Sequence, residues 1–141
     1  MIRQKIYLDE YDILVYAYYA TTQYYVEEIL DRLYEAGCRG RFMMMAEENL
    51  SSGDLNTGLT YYSPRTRNAV MVIAKASNAS ELFNSLMHEL SHLTAYIAKD
   101  EGLSFTGERI AYLEGDFARE IFPKIQHLLC DCCRTTSNKH A

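Results

Sequence analysis

A capped amphipathic helix predicted over residues 79–98 is the feature that most restricts how this chain can fold. Asn78 stands three positions before Glu81, which is the capping-box pattern of a helix N-terminus. Apolar side chains then recur at helical spacing and predict a buried stripe, made of Leu82, Phe83, Leu86, Leu90, Leu93 and Ile97. The segment 99–102 ends in Gly102 and predicts the helix C-terminus. The rest of the chain must therefore supply a layer on which this stripe packs.

Inside this helix, His88, Glu89 and His92 form an H-E-x-x-H pattern at the edge of the stripe. Residues four apart lie on one helix face, so His88 and His92 can present two imidazole nitrogens to one metal ion. Glu89 is displaced by about 100° around the axis, which lets its carboxylate reach a water on the metal without being a ligand. Zinc hydrolases use this arrangement, so the pattern predicts a Zn²⁺ site with Glu89 as the catalytic base. A chance match is the alternative, expected in about one random chain of this size in a few hundred.

Two pairs of β-strands are predicted before this helix. Tyrosine, valine and isoleucine predict a strand at 11–20, with a short one at 4–8. A second pair, at 57–62 and 69–75, flanks a turn containing Pro64 and predicts an antiparallel hairpin. The strand at 69–75 is apolar enough to be covered, although a free edge there would let an extended peptide add to it. The tyrosines lack interleaved basic residues, which favours packing in the sheet over stacking on nucleic-acid bases.

Further helices are predicted on both sides of the hairpin. Residues 23–36 carry apolar residues on one helical face, and the stretch 42–50 suits a short helix whose methionines, Met43 to Met45, fill the core. After the long helix, Thr106 is predicted to cap another helix, and a separate last helix is predicted from about 120 to 133. Together with the strands, these helices predict an α+β fold with a small, mostly antiparallel sheet.

Length and composition restrict the class of protein. The chain has 141 residues, of which 48% are hydrophobic and 23% charged, and this predicts one domain over 1–134 with a disordered polar tail at 135–141. The net charge of −5 argues against a nucleic-acid partner. Neither a signal peptide nor a stretch of about 20 apolar residues is recognisable, so the expected location is the cytoplasm, without a membrane partner.

The chain has four cysteines, Cys38, Cys130, Cys132 and Cys133. In a reducing compartment they are expected to be free thiols rather than a disulfide framework. A metal site formed by the last three with His127 is the alternative, but these residues lack the paired C-x-x-C spacing of structural zinc sites.

The third zinc ligand is not fixed by the H-E-x-x-H pattern, although catalytic zinc usually has three protein ligands. The candidates downstream are Asp100, Glu101, Glu108, Glu114, Asp116, Glu120 and His127. If the face carrying Ala111 and Tyr112 packs inward, Glu108 goes with it and Glu114 points to solvent, so Glu108 is preferred. Tyr112 could then hydrogen-bond Glu108 or donate to a substrate oxyanion, or it could be a core tyrosine.

These motifs resemble those of a known group of proteins. Residues 88–93 and 107–113 are similar to the H-E-L-x-H-L … E-x-x-A-Y-L pattern of small zinc peptidases encoded in phages and prophages of gut bacteria. Residues 49–60 resemble the same group, and the pattern is more distantly similar to the ImmA/IrrE-type metallopeptidases of mobile elements. The resemblance implies a gluzincin-like, minimal zincin-like core with His88, His92 and Glu108 as zinc ligands and Glu89 as base.

The expected function is therefore a zinc-dependent metallopeptidase that hydrolyses a peptide or protein substrate, with Glu89 taking a proton from the attacking water. Two other functions stay open. The chain could be a zinc-binding domain that no longer cleaves and acts in protein–protein contact, for example in phage assembly. It could also be an inactive structural descendant with a closed cleft.

Overall fold

The structure is a computed structural model that describes residues 1–53 and 55–133, so the predicted tail at 135–141 lies outside the described residues. In this part of the chain four strands form one sheet: β1 (Ile2–Leu8), β2 (Ile13–Thr21), β3 (Gly58–Ser63) and β4 (Asn68–Ala74). Their order is β1-β2-β4-β3. The β1–β2 and β3–β4 pairs are antiparallel, whereas β2 and β4 are parallel. The four strands and the hairpin are confirmed, and the sheet is mixed.

Helices cover both faces of this sheet, which confirms an α+β fold. They are α1 (Val26–Glu35), α2 (Gly40–Ser52), α3 (Ala79–Glu101) and α4 (Glu108–Ile125). Helices α1 and α2 pack on one face and α3 and α4 on the other, each against its own apolar cluster. Strand β4 contributes Met71 and Ile73 to the α3–α4 side and Val70 and Val72 to the α1–α2 side. Burial of both its faces explains why nearly every residue of this strand is apolar.

The position of β4 decides between a covered strand and one with a free edge, the two alternatives that the sequence left open for residues 69–75. Strand β4 has β2 on one side and β3 on the other, so it has no free edge to which a peptide could add. Strand β3 is the edge strand on this side of the sheet, and in the described part of the chain only β4 pairs with it.

Helix α3 begins as its capping pattern predicts. Asn78 Oδ1 accepts a hydrogen bond of 2.9 Å from the backbone amide of Glu81, and Gly102, in the left-handed conformation, follows the last turn. Five of the six stripe residues are buried. The prediction is wrong for Phe83, which is 53% exposed near the N-terminus of the helix.

Three expectations about the other helices are wrong. Helix α4 runs without a break through the position where a separate last helix was expected to begin. The residue before α4 is Gly107, which has no side chain with which to cap it, so Thr106 is not the cap. On α2, Met44 is 71% and Met45 53% exposed, so these two methionines are surface residues and not core filler.

Candidate functional site

A cleft with a volume of about 330 Å³ opens at the edge of the sheet beside β3. Helix α2 forms one wall, with Phe42 and Met45, and α3 forms the other, with the H-E-x-x-H residues. Residues 55–60, which comprise the loop before β3 and the start of that strand, lie between the two walls. The volume is at the lower end of the range for ligand pockets, so the cleft suits one side chain and its neighbouring backbone rather than a large cofactor.

The two motif histidines lie together in this cleft. The Nε2 atoms of His88 and His92 are 3.3 Å apart, and their rings meet edge to face. Two nitrogens bound to one tetrahedral zinc ion at about 2.0–2.1 Å each lie roughly 3.3 Å apart. The histidine pair therefore fits a shared zinc ion, although the same distance also suits a hydrogen bond between the two rings.

Glu89 projects from the same helix toward the sheet and is 3% exposed. Thr57 Oγ1 donates to Glu89 Oε1 over 2.9 Å, and Thr60 Oγ1 donates to Glu89 Oε2 over 2.6 Å. These bonds compensate the burial of a carboxylate and fix its orientation at the cleft. The sequence analysis gave neither threonine a role, although both lie in the 49–60 segment that carries part of the resemblance.

Gly58 sits between these threonines and brings β3 close to both β4 and α3. Its φ is +147°, a conformation that residues with a side chain rarely adopt. A Cβ atom at this position would lie 1.8 Å from the carbonyl oxygen of Val72 and 3.2 Å from Cγ of Glu89. The floor of the cleft therefore requires glycine at this position.

Tyr96, like Thr57 and Thr60, lines the cleft and was given no role from the sequence. It lies one turn after His92, and its ring is stacked with the His92 imidazole, with 6.2 Å between the ring centroids. Tyr112 is the tyrosine that was predicted to donate to a substrate oxyanion. It is 68% exposed and lines a different hollow, between α4 and the β1–β2 turn. The i+4 spacing from His92 would have identified Tyr96.

The premise that favoured Glu108 over Glu114 is wrong. The buried stripe of α4 is Ile110, Leu113, Phe117, Ile121 and Ile125, whereas Ala111 and Tyr112 face outward. Relative to Ile110, Glu114 lies about 40° and Glu108 about 160° around the helix axis. Glu114 also reaches α3, because Thr94 Oγ1 lies 3.4 Å from its Oε1.

Neither carboxylate meets the histidines. Thr94, the α3 partner of Glu114, projects about 200° around the axis from His92. Within residues 1–53 and 55–133, no group of three His, Cys, Asp or Glu side chains could hold a metal ion as they are arranged. The structure thus brings together His88, His92 and Glu89, and the identity of a third ligand stays a prediction.

In the described part of the chain all four cysteines are thiols and not disulfides, as predicted. Cys38 is buried, and burial raises the pKa of its thiol. Cys130, Cys132 and Cys133 are exposed, and hydrogen bonds from the backbone amide and the thiol of Cys133 lower the pKa of Cys130.

No protein family, curated protein or solved structure matches the chain. The family resemblance therefore depends on the motifs alone. None of the helices in the described residues is both long and apolar enough to cross a membrane.

Proposed function

We propose that the chain is a zinc-dependent peptidase with a zincin-like core. The observation that carries the proposal is the 3.3 Å separation of the His88 and His92 Nε2 atoms in a cleft that also holds the oriented carboxylate of Glu89. Two adjacent imidazoles and a neighbouring carboxylate are two of the zinc donors and the base that zinc-assisted hydrolysis requires.

In this proposal His88 and His92 would hold the zinc ion. When bound, zinc supplies a Lewis acid that polarises the scissile carbonyl and makes a water ligand acidic. Glu89 takes the proton of the attacking water on a carboxylate oxygen and delivers it to the leaving amine. Thr57 and Thr60 keep that carboxylate in place through their hydroxyl hydrogen bonds. Tyr96, rather than Tyr112, would donate a hydrogen bond from its phenol hydroxyl to a substrate oxygen in the cleft.

The free edge of β3 supports a peptide substrate. Thr57 is hydrogen-bonded to Ala74 of β4, and hydrogen-bonded pairs alternate along an antiparallel ladder. The backbone groups of Thr60 and Tyr62 therefore point away from β4, along the cleft, and so does the carbonyl of Gly58, whose amide donates to the carbonyl of Leu55. An extended peptide can pair with this edge and lie across the H-E-x-x-H helix.

A second candidate function is a zinc-binding module that does not cleave. The low exposure of Glu89 favours it, because a carboxylate held by two hydroxyls can also serve only to join β3 to α3.

Zinc content and its dependence on the histidines test the proposal. Protein purified without chelator is expected to contain one zinc ion per chain, and His88→Ala or His92→Ala is expected to weaken zinc binding by at least about 100-fold. His127→Ala is the control, because this histidine is exposed in a turn after α4. Peptide-mixture hydrolysis, followed by mass spectrometry, should stop with chelator and return with zinc. Wild-type protein that neither holds zinc nor hydrolyses peptides would exclude the proposed peptidase.

Glutamine substitutions test whether α4 supplies the third ligand. Because neither Glu108 nor Glu114 lines the cleft with the two histidines, Glu114→Gln and Glu108→Gln are each expected to weaken zinc binding by less than about twofold. Zinc affinity is measured by competition with a chromophoric chelator. A loss of about tenfold or more in Glu108→Gln would instead support the ligand set that the resemblance implies, with Glu108.

A further inference from the structure

The α2 wall of the cleft is apolar and accessible to solvent. Phe42 is 38% exposed and Met45 is 53% exposed, and both line the cleft opposite the H-E-x-x-H helix. Phe42 also packs its ring against Tyr61 of β3, with 5.4 Å between the ring centroids. This contact holds the wall beside the edge strand. Large apolar side chains that remain exposed along a concave surface are characteristic of binding sites.

The charge of the cleft restricts what can bind against this wall. Of the described residues that line it, none is lysine or arginine, and the only carboxylate is Glu89. Against Phe42 and Met45, an acidic side chain would lose its hydration without gaining a lysine or arginine partner. An uncharged apolar side chain would instead gain from burial against Phe42 and Met45.

The occupant must also satisfy the open backbone edge of β3, which lies between the two walls. An extended peptide does this and, since its side chains alternate between faces, directs every second side chain toward α2. On β3 itself, Leu59 and Tyr61 pack with the α1–α2 cluster, whereas Thr60 faces Glu89. A peptide paired with β3 would follow the same alternation.

We infer that the cleft selects an extended peptide with a large apolar side chain, such as leucine, methionine or phenylalanine, seated against Phe42 and Met45. The inference rests on the proposed function and specifies its substrate class. The flexible thioether of Met45 adapts to apolar groups of different shape, so the selection is for apolar character and size rather than for one residue type.

Binding of two labelled peptides tests this inference separately from cleavage. The probes are fluorescein-labelled hexapeptides that differ only at one central position, leucine in one and aspartate in the other. Fluorescence anisotropy is measured on the Glu89→Gln protein, so that the peptide is not consumed. The leucine peptide is expected to bind at least about tenfold more tightly than the aspartate peptide, as burial of one large apolar side chain implies.

Substitutions on α2 test whether the preference for the leucine peptide comes from the wall formed by Phe42 and Met45. Met45→Asp is expected to remove it, whereas Met44→Asp, which changes a neighbouring methionine that is 71% exposed and does not line the cleft, should keep it. Met45→Ala, a milder change, should reduce it, and circular dichroism verifies that each variant is folded.

Three results would overturn the inference: equal binding of the two peptides, no measurable binding of the leucine peptide at millimolar concentration, or equal effects of the two aspartate variants. The proposed function can fail independently. If the protein prefers the leucine peptide through Met45 but hydrolyses no peptide, the inference of a selective cleft is supported and the proposed peptidase activity is excluded. Hydrolysis without apolar preference would keep the peptidase and exclude the selectivity.

Discussion

Glu89→Gln is expected to lower the rate of peptide hydrolysis by about 10²–10⁴-fold while leaving zinc bound. Glutamine has nearly the shape of glutamate but cannot accept the proton of the attacking water. The Thr57 and Thr60 hydroxyls can reorient toward the amide, so the fold should be retained. Turnover is measured with a peptide that the wild-type protein cleaves, and zinc by elemental analysis of the same sample.

Ser91→Ala is the matched control, because Ser91 is an exposed residue inside the same motif and has no role in the proposed chemistry. It should retain wild-type turnover. If Glu89→Gln retained full hydrolysis, Glu89 would not be the base. If the wild-type protein binds zinc but cleaves nothing, and the variant is less stable, the non-cleaving zinc module becomes the better explanation.

Gly58→Ala is expected to destabilise the protein by roughly 3–5 kcal/mol, which combines backbone strain with overpacking. The new Cβ would lie 1.8 Å from a backbone oxygen of β4, and a backbone atom cannot rotate away as a side chain can. The φ of +147° adds strain even if β3 shifts. The free energy of unfolding is measured by urea denaturation.

Gly115→Ala provides the comparison, because Gly115 lies inside α4 and a Cβ there would meet no other described atom within 4 Å. Alanine should stabilise this helix by up to about 1 kcal/mol. Similar stabilities of the two variants would mean that β3 does not approach β4 as closely as the structure shows.

Local patterns predicted most of the elements, because each depends on neighbouring residues. The cap at Asn78, the stripe of α3 and the turn between β3 and β4 are short-range features, and all three are present. The same reasoning placed His88, Glu89 and His92 together, since H-E-x-x-H residues are neighbours on one helix.

The wrong predictions concern contacts that a local pattern does not determine. On α4, both the Ala111–Tyr112 pair and the Ile110–Leu113–Phe117 set can serve as an apolar face, and packing against the sheet selects the second. The exposure of Met45 follows from the position of α2 beside the cleft. Similarly, the parallel pairing of β2 with β4 makes β3 the edge strand, and this pairing joins distant parts of the chain.

That parallel pairing also affects how the protein folds. When Ala17 meets Met71, the chain between them closes into one large loop that contains α1, α2 and β3. Long-range closures of this kind slow folding, because the entropy cost of closing the loop is incurred before the contacts inside it are complete. The apolar α2 wall and the open edge of β3 are both inside this loop. Until β2 and β4 have paired, these two surfaces are available to other unfolded chains, so this step is the one at which aggregation competes with folding.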